Sequence, residues 1–168
     1  VLTNGCDFQF WSTPPEAEDI ASLKLSRPAN ANDARPVAFY QGGIHGKIDV
    51  PMLIDVAKTR TEWDFWFCGS VISGFDVWNE LSALPNVRYF GCLPVEKVRA
   101  LASQATVGII PFVRDDWIKV ASFPLKAFEY VAAGLPVVTT PIDALESFES
   151  VFRFADNAAD FSARLLEA

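Results

Sequence analysis

The chain has 168 residues, 51% of them hydrophobic, with five Trp and fourteen Phe. That length suits one domain with a buried core, and the composition excludes a disordered segment. A net charge of −7 argues against a sequence-independent grip on nucleic acid, which needs clustered Lys and Arg, but it allows a local basic pocket for a phosphate. No apolar run approaches the roughly 20 residues needed to span a bilayer, and no signal peptide is visible. Cys6, Cys68 and Cys92 show no Cys-x-x-Cys spacing, which suits a reduced, cytoplasmic setting and offers no zinc site. His45 is the single histidine, too little for a His-rich metal site. Val1, in place of an initiator methionine, is expected of a piece of something longer.

Residues 1–11, VLTNGCDFQFW, lead into a polar, Pro- and Ala-rich stretch from Ser12 to Pro36. Thr13-Pro14-Pro15-Glu16 carries the signals of a short helix start, and Arg27 to Arg35 reads as a loop. So long an irregular segment suits a connector between domains better than the interior of one. Residues 1–35 are therefore assigned to an interdomain crossover, and residues 36–168 to the folded domain.

From Pro36 the pattern is regular. Residues 37–41 read as a strand, and Asp49 to Arg60 as an amphipathic helix carrying Met52, Leu53, Val56 and Ala57. Residues 64–69 are a second strand, followed by a helix through Phe75, Trp78 and Leu81. Residues 87–91 are a third strand, with a helix from Pro94 to Gln104 after it. Residues 106–112 are a fourth, followed by a loop. Pro124 then suits the first turn of a helix, where its missing N–H costs nothing. Leu125, Phe128, Val131 and Ala132 follow at helical spacing, Gly134 takes the left-handed cap, and Pro136 prevents continuation. Residues 135–140 and 151–155 are two further strands, and residues 157–168 a closing helix. Strands and helices in alternation, with strands apolar on both faces, predict an α/β fold. It is a Rossmann-like, doubly wound parallel sheet of about six strands with helices on both faces. Ligands of such sheets gather beyond the carboxyl ends of the strands, so chemistry is sought in the loops that follow them.

After the first strand, Gly42, Gly43 and Gly46 let the backbone approach a bound group and free N–H groups for oxygens, although a flexible turn uses glycine equally well. The loop is neither a dinucleotide fingerprint nor a P-loop, because the Gly-Lys-Ser/Thr ending is missing. His45 is read as a loop histidine and not a catalyst. Adjacent Asp115 and Asp116 are read as solvated carboxylates, with no metal assigned. Glu129 lies between Phe128 and Tyr130 in an otherwise apolar helix, and two readings stand. It forms a surface ion pair with Lys126, three positions earlier, or it faces a cleft and accepts hydrogen bonds from ligand hydroxyls.

The run PLKAFEYVAAGLPVV, residues 124–138, resembles the donor-binding helix of GT-B glycosyltransferases of the large retaining kind called family 4. A Pro-x-Lys-x-x-Glu-Tyr-x-Ala-x-Gly-x-Pro-Val-Val pattern is common there. The resemblance covers most of residues 36–150, and Asn4-Gly5-Cys6-Asp7 with Phe10 is similar to a segment just upstream in that family. By that resemblance Glu129 holds the ribose of a nucleotide-sugar. Gly42 and Gly43 line the diphosphate loop, and amides around Ser122, Phe123 and Leu125 face the phosphates. Lys47 and Lys119 are the cations expected to stabilise the leaving diphosphate, with Arg114 as a substitute. Leu84-Pro85-Asn86-Val87 and Gly91-Cys92-Leu93-Pro94 are similar to the nucleobase segment, which places the base against Cys92 and Leu93; Cys92 also reads as a small buried hydrophobe.

Three features depart from the family pattern. Gly43 stands where an arginine is expected, Ala121 where a second glutamate contacts the donor sugar, and Ser122-Phe123-Pro124 where a Gly-Phe-Gly turn is common. The implied protein is the donor-binding half of a glycosyltransferase that moves a sugar from a nucleoside diphosphate sugar to an acceptor hydroxyl. The donor is substrate and no cofactor is implied. The acceptor, a sugar or lipid-linked glycan, would sit on a missing N-terminal domain, and the fragment alone is expected to be inactive. The alternatives are a degenerate, non-catalytic scaffold of the same descent and a nucleotide-sugar epimerase of GT-B architecture.

Overall fold

The computed structural model describes residues 5–25 and 35–168. Asn4 and residues 27–34 of the predicted loop lie outside the described residues. In chain order the elements are α1 (Phe8–Ser12), α2 (Ala17–Ser22), β1 (Val37–Gln41), α3 (Val50–Thr59) and β2 (Asp64–Cys68). There follow α4 (Phe75–Ser82), β3 (Val87–Tyr89), α5 (Val95–Ala102), β4 (Val107–Ile110) and α6 (Asp116–Ala121). The last are α7 (Leu125–Ala132), β5 (Val137–Thr139), α8 (Asp143–Glu146), β6 (Phe152–Phe154) and α9 (Ala158–Leu165).

The six strands form one sheet in the order β3-β2-β1-β4-β5-β6, every pair parallel. The expected doubly wound α/β sheet is the observed one. All five residues of β1 and all four of β4 are buried, as a sheet covered on both faces requires. Helices α3, α4 and α9 pack together on one face, while α5 and α7 cover the other, with α2 and α1 against them. The chain direction across the sheet reverses between β1 and β4, which is the switch point.

Local chemistry sets the element ends. Asp49 caps α3 by accepting from the Met52 N–H at 3.0 Å, and Asn157 caps α9 by accepting from the Asp160 N–H at 3.0 Å. Gly134, at φ +78°, ends α7 in the left-handed region, and the Leu135 N–H returns to the Tyr130 carbonyl at 2.9 Å. Buried Asn86 places its amide 3.0–3.2 Å from the carbonyls of Ala57, Arg60 and Trp63, tying the end of α3 to the entry of β2. Its side chain therefore serves the scaffold.

Three short helices, α1, α6 and α8, stand where sequence periodicity predicted none. Each has four to six residues, too short for a 3.6-residue repeat to register. Asp115 starts α6 by accepting from the Trp117 and Ile118 N–H groups, which explains one member of the Asp115–Asp116 pair as a cap.

Candidate functional site

A cleft of about 650 Å3 opens at the carboxyl ends of β1, β2 and β3. Its wall is Gln41 at the end of β1 with Gly42 and Gly43 after it, Cys68 at the end of β2 with Gly69, Ser70 and Ile72 after it, and Cys92 and Leu93 after β3. Val95 and Val98 of α5 close one side, Leu125, Lys126 and Glu129 of α7 another, and Trp11 of α1 reaches in from the N-terminal segment.

The loops meet so closely that glycine is obligatory at one of them. Gly69 sits at φ +132°, and a Cβ there would lie 2.0 Å from the Gly42 carbonyl oxygen. The Gly42 N–H donates to the Cys68 carbonyl at 2.9 Å and the Gly69 N–H to the Gly91 carbonyl at 2.8 Å, so the three loops are stitched edge to edge. Gly42 thus provides close approach, while its own amide is already committed.

Helix α7 is placed by Tyr130, which is fully buried. Its hydroxyl accepts the Gln41 backbone N–H at 2.9 Å, at the end of β1 where the strand order switches. Gly108 in β4 leaves the room: a Cβ there would lie 2.4 Å from the Tyr130 ring. Fixing Tyr130 on this side turns Lys126 and Glu129 to the cleft. Glu129 accepts a hydrogen bond from the Gln41 amide. Burial raises its carboxyl above the ordinary value, opposed by the Gln41 hydrogen bond and the Lys126 charge.

Lys126 overturns the surface ion-pair reading. Its amine points inward, donating to the Tyr40 hydroxyl at 2.9 Å and lying 4.0 Å from the centre of that ring. The Tyr40 hydroxyl in turn donates to the Gly43 carbonyl at 2.8 Å. Desolvation pulls the Lys126 amine down to about 7, against the opposing pull of the Glu129 charge. A poised cation at the floor of a cleft is a device for meeting an anion. The sequence offered a signal for it: Lys126 and Glu129 are three positions apart, and two such residues share a helix face, whether that face looks to solvent or to a cleft.

The other predicted residues divide. Gly42, Gly43, Cys92, Leu93, Leu125 and Glu129 line the cleft together. Cys92 is exposed and its Sγ lies 3.0 Å from Ser70 Oγ, so it is no buried hydrophobe; Cys68 is the buried cysteine. Lys47 is exposed and outside the lining, its backbone N–H donating to His45 Nδ1 at 3.3 Å. Lys119 lies on α6, paired with Asp143 at 3.2 Å and Glu146 at 3.8 Å. Arg114 pairs with Asp156 at 3.4 Å. Ser122 is buried, and its N–H closes α6 on the Ile118 carbonyl at 3.0 Å. Phe123 stacks on Phe128, ring centres 5.3 Å apart. Ala121 is exposed at the end of α6.

Trp11 was missed as a lining residue because α1 is only five residues long. It is 5% exposed, and α1 is held by the Arg99 guanidinium, which lies over the Phe10 ring at 4.3 Å and donates to the Phe10 carbonyl at 3.0 Å. Cys6, just ahead of α1, has its thiol pushed up by burial and by the nearby Glu129 charge.

A sequence profile of the family described as Glycosyl transferases group 1 matches residues 35–168. The Bacillus subtilis (strain 168) protein named for teichuronic acid biosynthesis glycosyl transfer, TuaH, is 29% identical over 97% of this chain. The chain spans 40% of the length of TuaH. Among solved structures, a glycosyltransferase from Rickettsia africae ESF-5 superposes with a TM-score of 0.76 at 13% identity, over 98% of this chain and 45% of that one. A UDP-GlcNAc 2-epimerase from Neisseria meningitidis, solved bound to UDP-GlcNAc, gives a TM-score of 0.60 at 12% identity, over 89% of this chain and 39% of that one. At those identities the two structures speak for the fold alone, the Rossmann-like half of a GT-B architecture.

Proposed function

Because this chain belongs to the Glycosyl transferases group 1 family, we propose that it is the donor-binding half of a glycosyltransferase, transferring a sugar from a nucleoside diphosphate sugar to an acceptor hydroxyl. The observation that carries this reading is the Glu129 carboxylate, held at the cleft by Gln41 beside the inward amine of Lys126. An ionised carboxylate is an acceptor only, suited to ribose hydroxyls, and an amine three residues away suits the diphosphate that follows. The base lies against Cys92 and Leu93, with Val95 and Val98 beside it. The first turn of α7 presents its amide end to the phosphates next to Leu125.

Transfer leaves a nucleoside diphosphate carrying the charge that develops as the glycosidic bond breaks. Donors already aimed at that group stabilise the transition state. Lys126 and the start of α7 are those donors here, in place of the cations the sequence pointed to, Lys47 and Lys119. The donor is consumed as substrate, with no metal in the chemistry. The acceptor, a sugar or lipid-linked glycan of cell-envelope polysaccharide, binds to a further domain across the cleft, on the cytoplasmic side. Among the described residues no helix is long and apolar enough to cross a membrane. The 168 residues alone bind donor and turn over nothing.

Calorimetric titration with UDP, GDP and ADP tests the reading. One nucleotide is expected to bind, and Glu129→Ala to weaken it by about 1–3 kcal/mol as the ribose hydrogen bonds are lost. A folded domain that binds none of the three, alone or within its full-length protein, would establish the scaffold reading instead.

A further inference from the structure

Resting on the donor-site reading, we propose that Gln41 is a second ligand of the donor ribose. Its side-chain carbonyl accepts a hydrogen bond from one hydroxyl of the vicinal diol, and Glu129 accepts from the other. Gln41 closes β1 at the switch point, is 6% exposed, and lines the cleft. Its backbone N–H is taken by Tyr130, and its Nε2 donates to Glu129 Oε2. Its Oε1 is buried without a partner among the described residues.

The amide cannot relieve this by turning over. A flip would set its carbonyl oxygen against the Glu129 carboxylate, two acceptors face to face. Glu129 therefore fixes the orientation, and the orientation leaves a buried acceptor unanswered on a residue that lines the cleft. Leaving a buried acceptor unpaired costs stability, and a bound donor group recovers it. That group must carry a hydrogen. Diphosphate oxygens at neutral pH are acceptors and do not qualify. The base lies toward the β3 loop, away from β1. Two hydroxyls on adjacent carbons do qualify, because Oε1 and the Glu129 carboxylate belong to groups one hydrogen bond apart. Gln41 and Glu129 then read a diol as a unit, which selects ribonucleotides over their deoxy counterparts.

The test is calorimetry on the 168-residue chain with UDP, GDP and ADP and with the 2′-deoxy and 3′-deoxy analogue of whichever binds. Wild type is expected to lose about 10-fold in affinity for either missing hydroxyl. In Gln41→Met, which keeps the side-chain length, one of these two penalties is expected to vanish and the other to remain. Retention of both overturns the proposal. Loss of both also overturns it, because Gln41 would then act only by positioning Glu129. Should Gln41→Met not fold, as judged by thermal unfolding, the wild-type comparison decides alone, and a penalty for one hydroxyl only overturns the proposal. Failure of the donor-site reading looks different: wild type then binds no ribonucleoside diphosphate at all, and the Gln41 role falls with it.

Discussion

The carboxyl edge of the sheet has two halves, one on each side of the β1–β4 switch. On the β4–β5–β6 side the charges are numerous and answered: Arg114 pairs with Asp156, and Lys119 with Asp143 and Glu146, all exposed. On the β1–β2–β3 side the charges lining the cleft are few and half-buried, with Lys126 on a phenol and Glu129 on an amide. Exposed ion pairs in water are worth little and leave little field for a ligand. A desolvated amine and carboxylate, by contrast, are held in a form that a ligand's own groups improve. The difference teaches where to seek a ligand-binding charge: in the half where the cations are fewest.

The most damaging way to break the cleft half is through its backbone. Gly69→Ala places a Cβ 2.0 Å from the Gly42 carbonyl oxygen at a φ of +132°, where neither atom is the end of a flexible side chain. The loops must separate, at a cost of about 3 kcal/mol or more in urea unfolding. Nucleotide binding should be lost in the same titration. Gly46→Ala, in the neighbouring turn, meets nothing within 4 Å and serves as the control, with stability and affinity unchanged.

Most of the fold was legible before any coordinates, and the reason is physical. Strands buried on both faces and helices of eight to ten residues leave period and composition in the sequence, as Val37–Gln41 and Val50–Thr59 do. The site was half legible. Glu129 stood out as a carboxylate among apolar neighbours, and glycines marked the close loops. The side that Lys126 and Glu129 face was left open because helical spacing shows that two residues share a face, but not whether that face meets solvent. That was decided by Tyr130 docking over Gly108, a contact between residues far apart in sequence. Trp11 and Gln41 carried no motif at all.

A smaller effect sharpens the comparison through pH. Burial holds the Lys126 amine at about 7, below the ordinary lysine value of 10.5. Between those values the unfolded chain carries the extra proton, so stability rises with pH there, by at most about 1.4 kcal/mol per pH unit. The useful window ends near pH 9. Above it the buried Cys68 thiol, pushed up to about 12 by desolvation, holds its proton while the unfolded chain loses it, which offsets the rise. Urea unfolding from pH 7 to 9 should therefore show a rise that Lys126→Met abolishes. Nucleotide affinity should move the other way over the same range, weakening as the amine loses its charge. A flat affinity profile would remove Lys126 from the diphosphate.

The smallest expected effect separates the two halves most cleanly. Lys119 has its ammonium held by the Asp143 hydrogen bond and by the Asp143 and Glu146 charges, which raise its pKa. A cation so engaged must leave two carboxylates before it can meet a phosphate. Lys119→Ala should accordingly leave nucleotide affinity unchanged and shift thermal unfolding little, because the pair it breaks is solvated. The double variant Lys119→Ala with Lys126→Met should bind nucleotide no more weakly than Lys126→Met alone. A further loss in the double variant would mean that α6 swings its lysine over the cleft when a nucleotide is bound. The two halves of the edge would then act as one site, and the local geometry that sets them apart would describe the free protein only.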